Sequence, residues 1–418
     1  MKKYINFLLI ILLISCSSDK KEKVEIESFL KQGKIVKFDE NKDFLEKDII
    51  NIKNIKNLKK VKYDNWTQKN YSLNNSIYPS NININKKKAK SISGNFVKIL
   101  SYKNKIITID NKFTVSIYDL DFKKIISKKI YKKKIYKNYD INIDAAIYKN
   151  KIYISDTLGN LHCLKTDDLS ILWTKKLGVP FRSNLKVYKE NVYLINSNSK
   201  IFSFDANNGK IKWSFETASK NLKSNNSYQL AINDEKLFFT NDSAEIFCVD
   251  LLKENLRWSL VFQAQNFQNI PLIFESSPIV IDNKNLFVST NFGYTYSINS
   301  TTGSVNWAMP FYSTNIFNIT DKYLNIFSKN KFSIINKSNG KVLFNKSFFL
   351  QNLKKPQFKN MLYGEKNIYL FDQDGYLFSI NMKNLDQVKY QKFHKGYKDY
   401  IILNNNLFIL SENKVIKY

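Results

Sequence analysis

The sequence predicts an all-β chain, an eight-bladed β-propeller of four-stranded antiparallel blades whose last blade is closed by an N-terminal strand. Three observations predict it. A short apolar strand recurs eight times along the chain. Each full copy continues through the same turn and a further strand ending in a polar residue, and in most copies a large aromatic follows. The final copy stops one strand short, while a strand-like segment stands upstream of the first copy without a repeat of its own.

The recurring strand begins at Lys105-Ile106-Ile107-Thr108 and returns at Lys151-Ile152-Tyr153-Ile154, Asn191-Val192-Tyr193-Leu194 and Lys236-Leu237-Phe238-Phe239. It continues at Asn285-Leu286-Phe287-Val288, Lys322-Tyr323-Leu324-Asn325, Asn367-Ile368-Tyr369-Leu370 and Asn406-Leu407-Phe408-Ile409. Four short strands rich in Ile, Val, Phe and Tyr within about 40–45 residues are the pattern of a propeller blade. A β-helix needs a shorter period and an α-solenoid needs helical periodicity; neither is found.

Within a copy, a turn such as Asp156-Thr157-Leu158-Gly159 or Asp372-Gln373-Asp374-Gly375 leads to a strand ending in Asp119, Lys165, Asp205, Asp250, Asn299 or Asn336. Beyond most of these stands Trp173, Trp213, Trp258, Trp307 or Phe344. The first copy has Ser127 there, and the seventh drifts to Tyr390. Gly209, Gly303 and Gly340 sit in the intervening turns, where φ > 0 is expected. The tryptophans read as packing between blades. The eighth copy ends at Tyr418 without an outer strand, and Val61-Lys62-Tyr63-Asp64-Asn65-Trp66 is expected to supply it, with Trp66 joining the same aromatic series.

Upstream of the propeller, assigned to residues 61–418, two segments are expected. Residues 1–15 read as an export signal: Lys2 and Lys3 precede an apolar run, Tyr4 to Ile14, too short to span a bilayer as a helix. Leu13-Ile14-Ser15-Cys16 matches a bacterial lipobox, so Cys16 is the expected lipidation site and mature N-terminus, and Ser17 favours the outer membrane. Residues 16–60 read as a lipidated N-terminus and flexible tether.

The chain carries 66 basic and 36 acidic residues, a net charge of +30. Only Arg182 and Arg257 are arginines, so the forked donors favoured for base recognition are nearly absent, and no nucleic-acid partner is expected. Lysine spread along the chain reads as solvated surface, with a cationic face toward anionic headgroups as a further possibility. Cys163 and Cys248 occupy one repeat position in different blades, which reads as free structural thiols; other copies place Ser203, Ser297 and Ser379 there. His162 and His394 also fall in different blades, so no metal-ligand pair and no catalytic triad are expected.

The copies Phe204-Asp205-Ala206-Asn207-Asn208-Gly209-Lys210-Ile211-Lys212-Trp213 and Ile298-Asn299-Ser300-Thr301-Thr302-Gly303-Ser304-Val305-Asn306-Trp307 resemble the PQQ-type propeller repeat. Together with the lipobox and tether, the chain resembles the BamB-like outer-membrane lipoproteins. That resemblance implies a non-catalytic scaffold without cofactor or metal, anchored by lipid at the periplasmic face of the outer membrane. Its implied partners are BamA, other subunits of the β-barrel assembly (BAM) complex, and unfolded outer-membrane proteins. In this family the BamA contact lies on a loop reading roughly Leu-Arg-Gly-Glu-Ser-x-Pro; Leu272-Ile273-Phe274-Glu275-Ser276-Ser277-Pro278 stands in that place. The resemblance thus implies a contact formed by Ile270, Leu272, Ile273, Phe274 and Glu275. The acidic residues the family carries in the next blade are replaced near Tyr312 and Thr314, which leaves a more apolar contact. The competing reading is that residues 270–274 pack inside the propeller. The repeat is also similar to that of quinoprotein dehydrogenases, which bind pyrroloquinoline quinone with calcium and typically carry adjacent cysteines; no Cys-Cys pair occurs here. A propeller recognising glycan or peptidoglycan fragments is the third reading.

Overall fold

A computed structural model describes residues 47–55, 58–82, 84, 89–131, 141–220, 228–264 and 273–418. Its strands form eight antiparallel sheets, and each of the eight sequence copies lies in its own sheet. Blade 1 spans residues 96–129, blade 2 143–176, blade 3 186–216 and blade 4 230–261. Blade 5 spans 280–309, blade 6 318–347, blade 7 358–392, and blade 8 397–417 with a strand from upstream. Strands follow one another across each blade from the centre outward. The innermost strands of blades 1 and 8 pack together, as do those of blades 1 and 2, which closes the ring.

Where the third strand of a blade ends in Asp or Asn, that residue acts through its side chain. Asp205 Oδ1 accepts the backbone N–H groups of Asn207 and Asn208, and Asn299 Oδ1 accepts those of Thr301 and Thr302. Such side-chain-to-backbone bonds fold the turn. Four residues after Asp205 and Asn299 the chain reaches Gly209 and Gly303, with φ of 71° and 77°. A Cβ at Gly209 would stand 2.6 Å from the Trp173 ring of the preceding blade, and one at Gly303 2.7 Å from Trp258. The indole N–H of Trp173 donates to Ala206 O (3.2 Å), that of Trp258 to Ser300 O (3.3 Å), and that of Trp307 to Lys337 O (3.0 Å). Each Trp is therefore a clasp laid over the next blade's turn.

The clasp also explains the small residue. Cys163 pairs across the strand with Trp173, Ser203 with Trp213, Cys248 with Trp258 and Ser297 with Trp307. A larger side chain would compete for the space under the indole. Where blade 1 has Ser127 instead of Trp, the turn of blade 2 carries Leu169, fully buried in the apolar cluster shared by blades 1 and 2.

The closing strand is Lys90–Ser93, which pairs with Lys414–Lys417, the third strand of blade 8. The segment 61–66 does not close the blade, contrary to its sequence assignment, and Trp66 does not join the clasp series. Trp66 lies at the centre of the ring, where it and Ser101 exchange backbone bonds of 3.0 and 2.9 Å. Strand alternation cannot distinguish an outer strand from an extended segment that docks on inner strands. The region assigned to the tether also has structure at its C-terminal end. Ile49–Ile50 adds a fifth strand to blade 6, and Ile55 is buried between blades 6 and 7.

Candidate functional site

The connection from blade 4 to blade 5 holds the sequence-predicted partner loop. Ile270 and Leu272 lie outside the described residues. Ile273 is 38% exposed, Glu275 is half-buried, and Phe274 is buried. Phe274 stacks on Phe262 at 5.7 Å and meets Phe292 edge-on at 5.4 Å. It is a core residue of blades 4 and 5, so its assignment to a partner contact is corrected: extended backbone alternates sides, and one of two adjacent apolar residues must face inward. Asn291, in a turn of blade 5, holds the loop from below. Its Nδ2 donates to Ile273 O (2.8 Å), its Oδ1 accepts Glu275 N–H (3.0 Å), and its own N–H donates to Glu275 O (2.9 Å).

The next connection, 310–317, lies beside it. Ser289 joins the two: its backbone N–H donates to Ser277 Oγ (3.0 Å), and its Oγ accepts the N–H of Ser313 (2.9 Å). Tyr312 and Thr314 are exposed on either side of buried Ser313. Val261 at the end of blade 4, and Phe349 and Leu353 in the connection from blade 6 to blade 7, extend the exposed apolar set. Sequence reasoning did not select these three. The pairs Phe348-Phe349 and Leu260-Val261 carried a signal, because one member of each adjacent apolar pair has to leave the core.

The propeller's central channel is filled at one end by the chain itself. Residues 61–82 bond to the innermost strands or first turns of blades 1, 2, 3, 4, 5, 7 and 8. Thr67 O accepts Ile147 N–H (2.7 Å), Leu73 O accepts Ile232 N–H (2.9 Å), Asn74 O accepts Ile281 N–H (3.0 Å) and Tyr63 O accepts Asn404 N–H (2.8 Å). Ser80 N–H donates to Tyr363 O (3.1 Å). Asn75, fully buried, donates to Leu230 O (3.0 Å) and Ile279 O (2.8 Å). Toward blade 6, Ile77 and Ile82 share an apolar cluster with Phe317 and Ile319.

Charged groups surround this plug. The buried Lys186 ammonium donates to Ser72 O and Asn75 Oδ1, both at 2.7 Å. Burial pushes Lys186 down to about 7, against the pull of Asp144. Lys98 pairs with Asp144 at 2.5 Å. Burial alone would raise Asp144, but Lys98, Lys69 and the Leu185 N–H hold it below its ordinary value. Asp399 is raised by burial, with Lys98 and Lys69 opposing. Asp399 is itself partly exposed.

Among the described residues no group of three His, Cys, Asp or Glu side chains stands ready for a metal. Cys163 and Cys248 are buried and unbridged in separate blades, and burial pushes their thiols up to about 11 and about 12. Burial pushes His162 down to about 4, while its ring bonds to Tyr131 and to Thr174 Oγ1 (2.9 Å). Cys163 and Cys248, in separate blades, do not form the adjacent pair that the quinoprotein resemblance implies.

The family model described as "Outer membrane protein assembly factor BamB" matches residues 138–346, half of the chain. The chain belongs to the BamB family. Among solved structures, BamB from Moraxella catarrhalis is similar with a TM-score of 0.65 and 16% identity, covering 78% of this chain and 98% of that one. A europium-containing methanol dehydrogenase (TM-score 0.64, 11% identity, 83% and 89% covered) has the same fold. So does the quinohemoprotein alcohol dehydrogenase of Comamonas testosteroni (0.64, 10%, 85% and 80%). No curated protein sequence matches the chain. The family's propeller is thus shared with enzymes, and the fold alone does not separate scaffold from catalyst.

Proposed function

We propose that this BamB-family chain is a non-catalytic scaffold of the outer-membrane β-barrel assembly machinery. It is anchored at the periplasmic face of the outer membrane through lipid on Cys16, after removal of residues 1–15. The observation that carries the reading, beyond family membership, is the built presentation of Ile273 and Tyr312: two adjacent connections are held rigidly from beneath, and each offers an exposed apolar side chain. Rigid loops with exposed apolar anchors suit a protein partner. BamA is the proposed partner, meeting Ile270, Leu272, Ile273 and Glu275 with Tyr312 beside them. Unfolded outer-membrane proteins are the proposed clients, and no turnover is required.

The test is crosslinking in the native envelope followed by identification of the partner, together with retention of BamA on the variant Leu272→Glu/Ile273→Glu. A folded double variant that retains BamA as well as wild type removes the site. A partner set lacking barrel-assembly subunits removes the function. Adding pyrroloquinoline quinone and calcium and following dye reduction with alcohols tests the dehydrogenase alternative; substrate-dependent reduction would replace the scaffold reading.

A further inference from the structure

Charge is not evenly distributed around the ring. Blades 8 and 1 (90–93, 96–129 and 397–417) hold twelve basic and five acidic residues. Blades 4 and 5 (230–261 and 280–309), opposite them in an eight-bladed ring, hold four basic and seven acidic. A general bias toward lysine acts on every blade alike and does not by itself favour one pair of blades over the pair opposite.

The basic charge of blade 1 concentrates on its outer edge. Lys123, Lys124, Lys128 and Lys129 are all exposed, with Ile125, 51% exposed, among them. On the adjoining outer strand of blade 8, Lys90 pairs with Asp121 at 2.7 Å. Asp119, the other acidic residue nearby, accepts the backbone N–H groups of Asp121 and Lys123. The four lysines of blade 1 therefore have no carboxylate among their ion-pair partners within the described residues. Lysines on an outer strand also protect a sheet edge. Edge protection accounts for one or two charges per strand, not for the imbalance of two whole blades. The N-terminal segment joins the body along blade 6, which holds six basic residues and one acidic. Blade 6 adjoins blade 5 and stands two places from blade 8, so it is a basic blade separate from the rim of blades 8 and 1.

We propose that the outer rim of blades 8 and 1 is a docking surface for a phospholipid bilayer carrying anionic headgroups. Lysines meet the phosphates, and Ile125 reaches the headgroup boundary. The occupant is argued from charge complementarity: four exposed lysines on one outer strand suit a diffuse anionic surface rather than a shaped ligand. The inference does not require the BamA contact or a lipid on Cys16.

The full chain is tested by partition onto vesicles of phosphatidylcholine with or without phosphatidylglycerol, at low and high salt. The N-terminal segment is common to every arm and cancels. A surface lysine near an anionic bilayer is worth about fivefold in partition, so Lys123→Gln/Lys124→Gln/Lys128→Gln/Lys129→Gln is expected to lose at least tenfold on anionic vesicles. Little change is expected on neutral ones, and circular dichroism should be unaltered. On a Cys16→Ser background, an environment-sensitive dye on Ser127→Cys should respond to anionic vesicles, and one on Thr301→Cys should not; Cys163 and Cys248 are buried and stay unlabelled. Equal partition of wild type and quadruple variant, a response at Thr301→Cys instead, or binding to heparin without binding to anionic vesicles would each overturn the proposal.

Discussion

Blades 4 and 5 are joined differently from blades 8 and 1. Between blades 4 and 5 the outer strand supplies Trp258, which covers the turn at Gly303 and donates to Ser300 O. At the seam between blades 8 and 1 the outer strand, Lys90–Ser93, carries no aromatic. That seam is held from the centre, where Trp66 bonds to Ser101 of blade 1 and its ring lies 5.7 Å from Tyr400 of blade 8. Phe122 of blade 1 meets Phe408 of blade 8 edge-on at 5.9 Å. The lesson is that an inter-blade contact can be made from the rim or from the channel, and that the closing seam, whose outer strand carries no aromatic, adds a channel contact through Trp66 to the turn contact of Phe122. The two regions also differ in what they show to solvent: acidic and apolar on one side, basic on the other.

The largest expected effect falls on the seam. Trp66→Ala removes a buried indole from the plug and should cost about 3–5 kcal/mol, measured by urea unfolding, with blade 8 becoming the first site of proteolysis. A cost no greater than that of Ser127→Ala would break the claim that the channel holds the ring shut. Gly303→Ala tests the opposite interface. A Cβ there would stand 2.7 Å from Trp258, and φ is 77°, so a loss of about 2 kcal/mol is expected. An unchanged midpoint would show that the clasp is loose.

Lys186 sharpens the comparison through pH. The unfolded chain keeps this proton to about its ordinary value of 10.5, while the folded chain releases it near 7. The folded state then binds fewer protons between those values, and stability rises with pH across that window. Wild type should therefore gain stability from pH 6 to pH 9 relative to Lys186→Met in parallel denaturation curves. Parallel pH dependence of the two would mean that the ammonium stays charged on Lys69 O, Ser72 O and Asn75 Oδ1. The smallest effect is expected at Glu254, which occupies the turn position of Gly209, Gly303 and Gly340 with φ of 54°. Glu254→Gly should raise stability by about 1 kcal/mol, read as a higher melting temperature, and a decrease would show that the Glu254 side chain contributes packing worth more than the backbone strain.

Much of the fold was legible because the repeat exposes its own rules. The Asp or Asn that ends a third strand, the glycine four residues on and the Trp of the preceding blade that covers them are three parts of one clasp, and each part needs a particular residue type. Leu169 and Ser127 show the same rule by exception, a larger turn residue answering a missing aromatic. The candidate site was legible only in part. Ile273 and Phe274 are adjacent and equally apolar, and only the stacking of Phe274 on Phe262 assigns one to the core and the other to the surface.

The sequence by itself determined eight blades, the turn chemistry and the rank of each aromatic within its blade, because these depend on residues within one repeat. Only the tertiary structure decided where Trp66 lies, which strand closes the ring, and how basic and acidic blades come to face opposite ways. Those outcomes depend on contacts between residues far apart in the chain, such as Trp66 with Tyr400 and Lys90 with Lys417. Periodicity along a sequence shows that a segment is extended, but not which of several open strand edges receives it.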